Sequence, residues 1–108
     1  MDMIDIAQAI YKLSKRIENG VDKLHQYGVA YATAEKEYRL ALGKEIVILR
    51  DAKMPATLIS DVARANVAEI KFKRDLAEQE YKIARDMLQA LQSELSGLQT
   101  IYRRQTDM

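Results

Sequence analysis

The chain has no cysteine and no tryptophan, and its 108 residues include one proline, one phenylalanine and one histidine. Without cysteine there is no disulfide framework, no thiolate nucleophile and no cysteine-ligated zinc. The four glycines stand apart at positions 20, 28, 43 and 97, so no glycine-rich phosphate loop can form. Neither sign of charge dominates: Lys and Arg number 17, Asp and Glu 16, for a net charge of +1. No overall field therefore recruits nucleic acid or an anionic membrane. Long apolar runs are missing too, and nothing approaches the roughly 20 residues that a membrane-spanning helix needs. The opening "MDMIDIAQAI" carries Asp2 and Asp5 where a secretory signal would carry Lys or Arg. These absences lead us to expect a single domain in the cytoplasm, with no membrane partner.

What is abundant is Ala, Leu, Glu, Lys, Arg and Gln, a helical composition. In the first half, apolar residues recur at alternating spacings of three and four. The seam runs Met3, Ile6, Ile10, Leu13, Ile17, Gly20, Leu24, Tyr27, Tyr31, Ala34, Tyr38, Ala41, Glu45 and Ile48, with Glu45 as its one charged member. Such a period predicts one long helix with a sticky face over residues 3–50. Glycine weakens a helix, and "ENGVD" around Gly20 is the expected bend or break. A second run, over 67–104, has the seam Val67, Ile70, Arg74, Ala77, Tyr81, Ala84, Leu88, Leu91, Leu95, Leu98 and Tyr102. "NVAE" before it reads as a cap, with Asn66 as N-cap and Glu69 three residues on.

Between the runs, Pro55 lacks an N–H and biases Met54 away from helical geometry, so the first helix should stop near Arg50–Lys53. "ATLISDVAR" then has the make-up of a short helix, giving a tip turn and helix over 54–65. Leu58, Ile59 and Val62 on it would cover the apolar stretch Ile46, Val47, Ile48 and Leu49. Folding back around Pro55 sets Tyr38 on Ala77, Ala34 on Tyr81, Tyr31 on Ala84 and Tyr27 on Leu88. Large side chains then face small ones, as close packing requires. The predicted fold is all-α: a long antiparallel, coiled-coil-like hairpin with a short helix at its tip. Extra apolar positions beside the seams (Leu76, Ile83, Met87, Ala90, Ile101, Val21, Leu42, Leu49) exceed what two helices cover, so we expect a homodimer built as a four-helix bundle.

Catalytic constellations are thin. "DKLH" sets Asp22 and His25 one turn apart with Glu18 a turn earlier, a spacing used by metal-binding bundles. The seam residues Ile17 and Leu24 turn these groups outward, to solvent. Ser14, Ser60, Ser93 and Ser96 have no histidine at a triad-like spacing. No catalytic residue, metal ligand or cofactor site is assigned. Two binding surfaces are. The tip offers Arg50, Lys53, Met54, Leu58, Arg64 and Lys73 to a protein partner. "KFKRD" and "IYRRQ" present Phe72, Lys73 and Arg74, and Tyr102, Arg103 and Arg104, where aromatic stacking beside cations suits single-stranded nucleic acid. Asp51, Asp61, Glu69 and Asp75 lie among these cations, which favours ion pairing within the chain.

The stretch "ALGKEIVILRDAKMPATLISDVARAN", with "LQSELSGLQTIYRRQTD" downstream, resembles a group of small helical proteins encoded by phages and prophages of Gram-positive bacteria. The resemblance covers roughly residues 40–107: a basic residue and apolar run, a turn ending in "PATLI", and a leucine-rich helix closing on aromatic–Arg. It implies an accessory phage protein of the bacterial cytoplasm and carries over no catalytic residue. The secreted WXG-type hairpins fit less well. Their turn holds Trp-x-Gly, and the residue four after Tyr102 is Thr106 rather than an acid. The resulting expectation is a non-enzymatic interaction module that modulates host machinery or a host defence system. The alternative is an accessory factor for single-stranded nucleic acid in phage replication or recombination.

Overall fold

A computed structural model describes residues 2–107. Among these the chain is all-α, with helices α1 (Met3–Asp51), α2 (Ala56–Asn66) and α3 (Ala68–Thr106) in a helical hairpin. Asp2 starts α1: its carboxylate accepts the Asp5 N–H at 2.8 Å, satisfying one of the four donors a helix N-terminus leaves unpaired. The other end closes in a Schellman motif. The Met54 N–H reaches back to the Leu49 carbonyl (3.1 Å) and the Lys53 N–H to that of Arg50 (3.0 Å). Met54 packs near Leu49, the apolar contact that accompanies this motif. Pro55 follows immediately and turns the chain into α2.

The motif needs a left-handed residue, and here that residue is Lys53, at φ 64°. A side chain there costs about 1–2 kcal/mol that glycine does not pay. Lys53→Gly is therefore expected to raise stability by about 1 kcal/mol, read as a higher midpoint in urea at unchanged slope.

Contacts divide the chain into two compact units, one joining residues up to Gln26 with those from Lys82 onward, the other Tyr27–Tyr81. In the Tyr27–Tyr81 unit, α2 covers the end of α1. Leu49, Ile59 and Ala63 are buried there, and Leu42, Ile46, Met54 and Val62 pack around them. Leu42, Ile46 and Leu49 share one α1 face by their three- and four-residue spacing. Val47 and Ile48 turn away from it and, like Leu58 on α2, stay more than half exposed. The expected closure of the tip by α2 thus holds for Ile59 and Val62 against Ile46 and Leu49, and is corrected for Leu58, Val47 and Ile48, which face outward.

The α2–α3 junction differs from expectation as well. Asn66 is the last residue of α2, not the N-cap of α3, and its Nδ2 donates across the hairpin to Glu45 Oε1 at 2.8 Å. This bond accounts for a charged residue in the α1 seam. Val67, buried, forms the bend between the helices (φ −109°, ψ 17°). Its carbonyl accepts the Lys71 N–H at 3.0 Å, so the break is one residue wide.

Both units pair α1 with α3 antiparallel, in a register offset from the expected one. Tyr81 rests on Gly28 and Tyr31 rather than on Ala34, and the Tyr31 hydroxyl meets Glu78. In the other unit, Leu88 packs on Gly20. The covered face of α1 is rotated as well, and the cause of that rotation is helical phase. A helix of 3.6 residues per turn drifts by about 20° per heptad from a strict 3.5 repeat. The covered face of α1 accordingly passes from Leu24 to Gly28 and ends on Leu49, leaving Tyr27 and Ile48 exposed. α1 runs unbroken through Gly20 and Gly28. Both glycines serve as seats: a Cβ on Gly20 would stand 3.2 Å from Leu88 Cδ1, and one on Gly28 3.5 Å from Tyr81 Cε2.

Candidate functional site

The densest set of polar side chains lies in the Tyr27–Tyr81 unit, around a residue that breaks the apolar seam of α3. Arg74 occupies a seam position between Ile70 and Ala77, where its side chain is only 24% exposed. A cation held there needs acids on it. Glu35 of α1 accepts from its Nε, Asp75 pairs with Nη1 at 2.9 Å, and Glu78 stands 3.7 Å from Nη2. The guanidinium carbon also lies 5.8 Å from the centre of the Tyr38 ring, within cation–π range.

A second tier holds the acids. Arg39 donates to Glu35 at 2.7 Å and Lys71 to Asp75 at 3.1 Å. The Tyr31 hydroxyl donates to Glu78 at 3.0 Å, while its ring sits 6.1 Å from that of Tyr81 at a 34° tilt.

These contacts set the protonation states. Hydrogen bonds from Arg39, then Arg74, hold the Glu35 carboxyl below its ordinary range. The Lys71 ammonium, with help from Arg74, does the same for Asp75. Donation to Glu78, reinforced by desolvation, pushes the Tyr31 phenol up. Glu35 and Asp75 first, and Asp75 with Lys71 on its far side, lock Arg74 as a cation. Glu35, Asp75, Tyr31 and Arg74 are thus each held more firmly in their ordinary ionisation state. That is the reverse of a catalytic site, which moves pKa values toward the working pH. A satisfied polar layer in an apolar seam fixes which residues pair across the hairpin. Sequence reasoning marked Arg74 but missed Tyr31, Glu35 and Glu78. The available signal was Arg74 itself, since a seam arginine demands an acid across the interface.

Of the proposed partner surface, Arg50, Lys53, Leu58, Arg64 and Lys73 are exposed in this unit. Met54 is half-buried and belongs to the tip core. The nucleic-acid set is not brought together as a whole. Phe72 and Lys73 are exposed, but Arg74 lies two residues from Phe72, on the opposite side of α3, and is committed to carboxylates. Tyr102 is half-buried in the seam of the other unit, with Arg103 and Arg104 exposed beside it. His25 is exposed, and among the described residues no group of three or more His, Cys, Asp or Glu could hold a metal. No helix among them is long and apolar enough to cross a membrane. Comparison with known protein families, with curated proteins and with solved structures gives no match to this chain.

Proposed function

We propose that this protein is a non-enzymatic helical interaction module, acting by occupying the surface of another protein. What carries the reading is the apolar side chains left in water within one unit: Leu40, Val47, Ile48, Leu58 and Phe72 are each more than half exposed. They sit on rigid helices beside cations, while the chain's polar cluster is spent on its own charges. Surfaces of this kind mark contact sites. In this reading, supported by the resemblance to phage-encoded helical proteins, the module works in an infected bacterial cytoplasm with a host or phage protein as partner. Association with a second copy, as in a four-helix bundle, belongs to the same reading.

The decisive experiment is affinity capture from phage-infected host cells with the full chain and with Leu58→Asp as bait. A specific host or phage protein is expected on the wild-type bait, and at least tenfold less on the variant, because one charge in an apolar contact costs more than 1.4 kcal/mol, or about tenfold. Equal recovery on both baits would remove the tip from the interface. Exposed Phe72 beside Lys73 keeps a second reading, single-stranded nucleic acid. It requires oligonucleotide binding that weakens steeply as salt rises.

A further inference from the structure

The two outward faces of the Tyr27–Tyr81 unit carry opposite charge. On α1, Lys36, Leu40, Lys44, Val47 and Arg50 follow one another at three- and four-residue spacings, with Gly43 beside Lys44, all exposed. Leu40 and Val47 are 53% and 54% exposed, and nothing lies within 4 Å of where a Gly43 side chain would begin. On α3, the face turned away from the seam carries Glu69, Phe72, Leu76 and Glu80, with Phe72 61% and Leu76 49% exposed. The first face is an apolar strip beside Lys36, Lys44 and Arg50 with Glu37 on its flank, the second an apolar strip between Glu69 and Glu80 with Lys73 on its flank.

We infer that these two faces bind each other between copies, the acidic face of α3 in one copy docking antiparallel on the basic face of α1 in the next. The register follows from the side chains. Setting Leu40 on Phe72 of the second copy brings Lys44 to Glu69 on one flank, and on that same flank, two turns back along α1 and one turn on along α3, the long side chains of Glu37 and Lys73 come within reach of each other. The stem of Lys36 then lies over Leu76, as long cationic side chains cover apolar surface. Opposite charges thus meet in both orders, a pattern that selects one register and one direction. Pairing α1 with α1 in antiparallel fashion would instead set Lys44 against Lys44 and Glu37 against Asp51, which like-charge repulsion disfavours. The contact joins unlike faces, so it leaves one of each open and does not stop at two copies.

This inference rests on the interaction-module reading and names a second copy as the partner, but it can fail alone. The test is the mass of the full chain in solution, by sedimentation and light scattering, from micromolar to millimolar concentration. The mass is expected to rise continuously above the 12.4 kDa of one chain, and less so in high salt. Lys44→Glu and Glu69→Lys should each raise the concentration needed by about tenfold, since each turns an attraction into a repulsion. The double swap Lys44→Glu/Glu69→Lys should restore assembly. Circular dichroism checks that each variant remains helical. A 12.4 kDa species at every concentration, or a double swap no better than the singles, would overturn the inference. Capture of another protein by the same chain would still leave the module reading standing.

Discussion

Ile59→Ala is expected to destabilise the protein by about 2–4 kcal/mol, the range for emptying a buried aliphatic position. Ile59 is 8% exposed and meets Leu49 and the fully buried Ala63 in the small core where α2 covers α1. That core has few members, so little can collapse into the space left behind. A chain of this length has a total stability of about 5–15 kcal/mol, which makes the loss a large share. The neighbouring Leu58 is 51% exposed, and Leu58→Ala should change stability by only about 0.5 kcal/mol. Urea unfolding of the two variants measures both. Similar losses at 58 and 59 would mean that α2 does not present the face described.

The second large effect is in the unit containing the chain ends, and it is a coupling. Leu88, 8% exposed, should lose about 2–3 kcal/mol on truncation to alanine. Gly20→Ala alone should be nearly neutral. Alanine adds up to about 1 kcal/mol of helix propensity, and crowding removes a similar amount because its Cβ would meet Leu88 Cδ1 at 3.2 Å. With Leu88 already truncated the crowding is gone, and Gly20→Ala should then recover about 1 kcal/mol. A double-mutant cycle by thermal or urea unfolding reads this coupling directly. Additive effects would show that Gly20 does not seat Leu88.

Much of this architecture is visible as pattern. Each member of the α3 seam from Val67 to Tyr102 is buried or half-buried, because period and handedness are properties of one helix and need no partner. Pro55 likewise announced the turn, since a missing N–H and a restricted preceding residue act locally. The pairing of α1 with α3 was less visible. A slide of one heptad, about 10 Å, presents nearly the same apolar pattern to the partner helix. Tyrosine can nest over alanine or over glycine, so the large-on-small rule does not choose between registers.

What decides between such registers is the fit of residues dozens of positions apart. Arg74 finds Glu35 and Glu78 in one register, Tyr81 and Leu88 settle on Gly28 and Gly20, and Asn66 reaches Glu45. Helix type, the turn at Pro55 and the identity of the sticky α3 face follow from backbone geometry acting over a few residues, so they can be read from the order of amino acids. The roles of the glycines, the partners of Arg74 and the outward placement of Val47, Ile48 and Leu58 come from steric and electrostatic matching between helices, which exists only once the chain has folded back on itself.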